Sequence, residues 1–513
     1  MLYQNRRSTY SSFILIFVIL KVVLNLLAIS RFGFHRDEFL HLVLADHLDW
    51  GYKEVPPFIG LLARITITLF GNSVFAARIF PTIAAGLIIF LTGQITVELG
   101  GKRFAIALAC LALIFSPAFA ASDYLFQPVV FDQLWWVLAA WLMVKYCNTS
   151  SIKYLYFFGM AVGFGMLTKY SMSFFTFSLL FGILVSRQRK MLLNRHFWGA
   201  AAVAILIWLP NIVWQFRHHL PVFTHMSTLQ KEQLQYVKPT DFIVQELLDN
   251  GIALFVWLTG LAFLFFASRL HKFQFLAFSF VIIFLFFIVM HGKPYYLFGA
   301  FPMLFAAGGF AFERWLKTSG YVLRSATIAA FTIPNFILLP MALPIFPLNT
   351  TLAVFRHILG SAITWEDHKQ HPISQDYADM LGWDEMAADV AKVWNSLSPE
   401  QQKQTLIYAD NYGEAGAIHH YHEQYNMPDC VSLNSSFTLW APDGLNCRYL
   451  IYVDETGGQN IDSFHTQLKS YKKMYVVENP LAREQGTAIF LLEGIGQGLR
   501  DRYSQELARK RLQ

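Results

Sequence analysis

Apolar runs of spanning or near-spanning length recur along the first two thirds of the chain. They lie near 11–30, 74–97, 104–121, 128–146, 154–168, 171–186, 197–214, 251–268, 273–291, 294–312 and 325–345. A bilayer core about 30 Å thick is crossed by roughly 20 helical residues. Backbone groups in lipid must find their hydrogen bonds internally. The runs therefore predict eleven transmembrane helices. Composition agrees: of 513 residues 55% are hydrophobic and 14% charged, against about 25% charged in a soluble domain. The net charge of +6 is spread out. No basic stripe with interleaved aromatics accompanies it, which argues against nucleic acid as a partner. The first run follows Arg6 and Arg7 and is long for a signal-peptide core. With no clean cleavage site after it, it reads as a retained span.

The charges between the runs predict direction. With the N-terminus cytoplasmic, every inner segment is basic, from Arg6 and Arg7 through Lys102 and Arg103, Lys145 and Lys153, Arg187 to Arg195, and Arg269 and Lys272, to Arg314, Lys317 and Arg324. The outer turns near 122–127, 168–171 and 291–295 carry one Lys or none. The positive-inside bias is met at each alternation. Residues after about 346 then lie outside the cytoplasm. The expected organisation is a transmembrane domain over 1–345 and an extracytoplasmic α/β domain over 346–513, the whole seated in the cytoplasmic (inner) membrane. TLIYAD, CRYLIYVD, KMYVVEN and TAIFLLEG read as strands, EAGAIHHYHEQY and DSFHTQLKSY as helices. Cys430 and Cys447 fall in the outer domain. An oxidising compartment would permit a bridge between them or leave two thiols.

Polar residues gather at the outer face. FHRDEFLHLVLADHLDWGYKEVPPF, residues 34–58, sets Asp37 and Glu38 directly after a span. Asp123 stands in the second outer turn and Asp132 about one turn into the fourth span. Lys169 marks LTKYS, Arg217 follows the seventh span in WQFRHH, and Lys293 with Tyr295 and Tyr296 occur in HGKPYY. Ionisable groups at membrane depth are functional candidates, yet each has a plain alternative. Asp37 could cap an interfacial helix. Asp132 could bond a neighbouring helix. The lysines could snorkel and the tyrosines belong to an aromatic belt. The segments 39–48 and 58–70 have apolar faces suited to the interface plane, joined by a turn at Gly51 and Pro56-Pro57. Carboxylates and lysines together suit sugar transfer from a lipid-linked phosphate. A carboxylate would act as general base and cations would stabilise the departing phosphate. A lipid or sugar transporter is the alternative, although it predicts midplane carboxylates and inverted repeats. A receptor-like scaffold is a third reading.

HRDEFLHLVLADHLDWGYKEVPPFIGLLARI and LFGNSVFAARIFPTIAAGLIIFLTGQITVELGG resemble the amino-terminal part of bacterial glycosyltransferase family 39 proteins. These are relatives of protein O-mannosyltransferases and lipid A aminoarabinose transferases. LFQPVVFDQLWW, GFGMLTKYS, WLPNIVWQFRHHLPVF, HGKPYYLFGAFPMLFAAGG, YADMLGWDEMAADVAKVW and ADNYGEAGAIHHY continue the likeness through most of the chain. The resemblance implies the membrane-embedded GT-C fold, a polyprenyl-phosphate sugar donor and an envelope acceptor. It implies Asp37, beside Glu38, as the catalytic acid of the first outer loop, and Asp132 as a second acid, with Asp123 its rival. Lys169, Lys293, Tyr295 and Arg217 are the expected donor-phosphate contacts, on charge as much as on likeness. No cofactor and no metal ligand set is expected from the sequence, since no His/Cys cluster is evident. Relatives that use a divalent cation leave that requirement open. NYGEAG has no assigned task.

Overall fold

The computed structural model describes residues 2–360, 363–367 and 369–512, with side chains from residue 10 onward. It divides into two compact units. The first comprises residues 1–29, 77–213 and 226–346, and the second 30–76, 214–225 and 347–513.

The first unit is helical. Every run predicted to span is helix, but the lengths differ. Among the described residues seven helices are long and apolar enough to cross a membrane: Tyr10–Ala28, Val74–Glu98, Pro128–Thr149, Arg195–Arg217, Ser268–Val289, Pro294–Trp315 and Tyr321–Ala342. Pro239–Leu248 and Gly251–Phe266, bent by 98° at their junction, make an eighth if they form one broken span. Arg103–Ile114, Lys153–Met166 and Ser171–Val185 are shorter. The chain is a multi-pass membrane protein. Within the predicted run 104–121 the helix Arg103–Ile114 ends and a short helix restarts with Pro117 at its N1 position. Glycine lets the helices touch. A Cβ on Gly260 would stand 2.0 Å from the Leu304 carbonyl oxygen, and one on Gly308 2.0 Å from that of Val256. In lipid such close backbone approach replaces the hydrophobic drive that helix packing has in water. Two buried charge pairs lie within this unit: Lys21 Nζ lies 2.9 Å from Asp123, and Lys145 Nζ 2.8 Å from Glu98.

The second unit is α/β. A short ladder joins β1 (Ile363–Thr364) to β2 (Gln370–His371). The main sheet has the order β4-β3-β5-β7-β6, from β3 (Thr405–Ala409), β4 (Cys430–Val431), β5 (Tyr449–Asp454), β6 (Leu468–Val476) and β7 (Ala488–Ile495). β3 pairs in parallel with β4 and β5, while β7 runs antiparallel to β5 and β6. β5 is buried along its whole length, as a central strand should be. β6 is an exposed edge carrying Lys469, Lys472 and Lys473, charges that discourage edge-to-edge pairing. The C-terminal helix Gln497–Arg511 lays Leu499, Tyr503 and Leu507, four residues apart, onto the sheet core.

One expectation is corrected and one open alternative is decided. DSFHTQLKSY is not a helix. Only Gln459–Asp462 and a turn at His465–Gln467 are helical, and β6 begins at Leu468. Phe464, Leu468 and Tyr471 do recur at helical spacing, but β7 offers the backbone from Leu468 onward a partner, and that pairing overrides the local pattern. Cys430 and Cys447 are free and buried. Cys430 sits on β4 and Cys447 leads into β5, with β3 between them. Two strand spacings amount to about 9.5 Å, beyond the roughly 7 Å limit for a bridge.

Asp410, at the end of β3, accepts hydrogen bonds from the Tyr452 hydroxyl (2.7 Å) and Asn460 Nδ2 (2.8 Å). Burial outweighs both and pushes its carboxyl up to about 6, from 3.8. Between those values the folded chain holds a proton that the unfolded chain has lost. Stability from this group is therefore present at low pH and lost as pH rises through that window. We expect the thermal midpoint to fall between pH 5 and pH 7, and Asp410→Asn, which cannot ionise, to flatten that dependence. Scanning fluorimetry at both pH values checks it; equal slopes would refute the assignment.

Candidate functional site

In the second unit the site begins at the helix Arg36–Val43. Its N-cap is His35, whose Nδ1 accepts the Asp37 backbone N–H at 3.1 Å. Glu38 Oε2 accepts the His35 backbone N–H at 2.8 Å, completing a reciprocal capping box. Glu38 is fully buried in that task. Asp37 stands at the second helical position and is not the cap. Its Oδ1 accepts the Tyr412 hydroxyl at 2.7 Å. Arg36 lies over the Tyr412 ring, 4.7 Å from the centroid, with Nε 3.9 Å from Glu484. Burial works to raise the pKa of Asp37. His35, His41, the Tyr412 hydroxyl and Arg36 outweigh it and hold the carboxyl below its ordinary value. Asp37 is thus ionised at neutral pH and able to accept a proton.

Tyr412 belongs to NYGEAG, and each residue there has a physical reason. Asn411 caps the helix Tyr412–Tyr421. Its Oδ1 accepts the Gly413 and Glu414 backbone N–H groups at 2.8 and 3.1 Å, and Glu414 returns a bond to the Asn411 N–H. A Cβ on Gly413 would come 2.6 Å from Arg36 Cγ, and one on Gly416 2.7 Å from Phe39 Cβ. The two glycines let this helix lie directly on Arg36–Val43, so Tyr412 reaches Asp37. Sequence reasoning missed this contact. The signal was present as a capping pattern with glycines at i and i+3, but its partner is 375 positions away.

The rest of the first loop is scaffolding. Tyr52 is buried, its hydroxyl donating to the Leu44 carbonyl at 3.4 Å, with Gly60 beneath its ring. Asp49 accepts Trp214 Nε1 at 2.8 Å, and Glu54 accepts the Ser436 hydroxyl. Arg217, three residues after Trp214, is exposed.

The first unit carries a separate polar cluster. Asp132 accepts Trp136 Nε1 at 2.9 Å and the Ser171 hydroxyl at 2.6 Å. Lys169 lies within electrostatic reach of Asp132 and Lys293. Its Nζ stands 4.8 Å from the Tyr295 ring centroid and 5.1 Å from that of Tyr296. The turn Pro294–Ala300 follows directly on Lys293. Asp132, Lys169, Lys293 and Tyr295 are therefore neighbours, while Asp123 is committed to its buried pair with Lys21.

Residues 54–214 match the profile of the family described as dolichyl-phosphate-mannose-protein mannosyltransferase. The chain is similar in structure to ArnT from Cupriavidus metallidurans bound to undecaprenyl phosphate. That match has a TM-score of 0.61 at 15% identity and covers 94% of this chain and 98% of the other. It is also similar to the archaeal oligosaccharyltransferase AglB from Archaeoglobus fulgidus, in complex with an inhibitory peptide and a dolichol-phosphate. Here the TM-score is 0.51 at 12% identity, covering 88% and 70%. The mycobacterial arabinofuranosyltransferase AftD matches with a TM-score of 0.50 at 12% identity, covering 95% and 40%. No curated protein sequence matches. At these identities the likeness establishes the fold: the chain has the GT-C architecture with an additional sheet-containing domain.

The Tyr412 contact yields a prediction. Tyr412→Phe removes one of the groups that hold the Asp37 carboxyl down. The acid limb of the activity profile should move to higher pH, with Gly416→Ala, which separates the helices, acting in the same direction. An acid limb unchanged in Tyr412→Phe would show that the hydroxyl does not tune Asp37.

Proposed function

We propose that the chain is a membrane glycosyltransferase that moves a sugar from a polyprenyl-phosphate donor to an acceptor outside the cytoplasm. The observation that carries this reading is the ionised, anchored carboxylate of Asp37 in the first outer loop of a GT-C fold. The family profile, and the lipid phosphates bound by ArnT and AglB, support it over a transporter. The acceptor is a component of the cell envelope.

Asp37 is the general base, taking the proton of the acceptor nucleophile as the bond to the sugar forms. Glu38 fixes the helix start and so the direction of Asp37. The lysines at 169 and 293 carry the charge that a leaving lipid phosphate develops, with Tyr295 beside them and Arg217 as a further cation for the donor. Asp132, held by Trp136 and Ser171, sets the position of Lys169 by its opposite charge. The protein sits in the cytoplasmic membrane with its N-terminus inside and residues 346–513 outside, a reading supported by the basic inner loops.

Orientation is tested by fusing a reporter active only in the cytoplasm after Gln513; it should be silent. A strongly active fusion would invert the arrangement and put Asp37 on the wrong face.

The catalytic assignment is tested by single substitutions. A general base contributes about 10²–10⁴-fold to rate. Asp37→Asn should bind donor and transfer sugar at least about a hundredfold more slowly. Glu38→Gln, which can still accept the His35 N–H, should be milder. Glu54→Gln, in the same loop and outside the proposed machinery, should behave as wild type. Wild-type turnover by Asp37→Asn beside a dead Asp132→Asn would transfer the base to Asp132.

A further inference from the structure

At and just beyond the end of the helix Tyr412–Tyr421 stand three residues that the proposed chemistry does not use. His419 lies on its last turn and His422 at its C-terminal cap, three residues apart and so on one face. Asp429 leads into β4. One ligand atom from each of the three lies within 4.8 Å of the others. We propose that His419, His422 and Asp429 bind a divalent transition-metal ion of the zinc class.

The arrangement around them is that of a ligand set. His422 Nδ1 contacts the His419 carbonyl oxygen. Donation to that carbonyl fixes the tautomer and presents Nε2 as the ligand. His419 has its Nε2 3.2 Å from Asp46 and its Nδ1 3.0 Å from Asp429. An Nε2–H directed at the Asp46 carboxylate would leave Nδ1 for the ion. That is the carboxylate–histidine–metal relay that orients ligating imidazoles. Asp429 is itself anchored, accepting the Cys430 backbone N–H at 2.6 Å.

Ion class follows from the donors. Two imidazoles and a carboxylate suit zinc-like ions, with water in the fourth position, whereas magnesium and calcium take oxygen ligands. Zinc bonds of about 2.0–2.2 Å put tetrahedral ligands roughly 3.4 Å apart. No pair need then close by more than about 1.4 Å, a shift within reach of side-chain rotation. The ion would fasten Asp46, in the turn after the Asp37 helix, to the helix that carries Tyr412. The site stands whether or not the chain transfers sugar.

The test uses the full chain in detergent, stripped with chelator and titrated with Zn(II) against a chromophoric competitor. One ion per chain is expected. His422→Gln and Asp429→Asn should each weaken binding at least about tenfold, as loss of an orienting group alone does. Co(II) should give a visible d–d absorption band that His422→Gln abolishes while far-UV circular dichroism is unchanged. Zinc should raise the thermal midpoint of the wild type and not that of His422→Gln. Equal zinc affinity in the wild type and in the double variant His419→Gln/His422→Gln would overturn the proposal. So would a wild type that binds no stoichiometric ion.

Discussion

The contact between the helices Arg36–Val43 and Tyr412–Tyr421 is the interaction on which the candidate site depends. Two glycines bring the backbones together, and the Tyr412 hydroxyl then reaches Asp37. Without that approach the loop after the first span would be a short amphipathic segment of eight helical residues and a turn. Isolated helices below about 12–15 residues are marginal in water. The capping box at its start and the packing of Phe39 against Trp383 and His420 supply what helix propensity cannot. This loop folds as part of the α/β unit, and its carboxylate is positioned by that unit.

Adjacent carboxylates are costly where one environment must hold both charges. Here the two have different environments. Glu38 points back and caps the helix. Asp37 points out, where His35, His41, Tyr412 and Arg36 favour its charge. The helix start itself favours an acid at the second and third positions. The alternative reading of Asp37 as the cap is off by two residues. The cap is His35, and the reciprocal acid is Glu38.

The membrane architecture was legible because lipid imposes a one-dimensional rule. Apolar length predicts a helix. The strands at 405–409, 449–454 and 488–495 were legible for a similar local reason: β-branched and aromatic residues bounded by turn residues. The misreadings came where distant partners decide. Leu468–Val476 is a strand because β7 is there to pair with it. The thiols of Cys430 and Cys447 are kept apart because β3 lies between their strands. The histidine–aspartate group at 419, 422 and 429 has no short ligand motif, since a turn brings Asp429 back beside the helix. The Asp37–Tyr412 bond spans most of the chain, and no window of sequence contains it.

Asp132 shows the same logic inside the apolar unit. A carboxylate at the start of a span is costly unless its lone pairs are used. Trp136, one turn along the same helix, and Ser171, on another, take one oxygen each. Lys169 supplies the opposite charge and is in turn faced by the rings of Tyr295 and Tyr296. The aromatic faces favour the ammonium electrostatically while leaving it able to meet a harder anion. A lysine committed to a close carboxylate would have little to offer a phosphate. Lys169 instead has aromatic faces beside it and a carboxylate already engaged by two donors. In the proposed donor role, that arrangement would let the cluster stand without an anion and still receive the phosphate of a lipid donor.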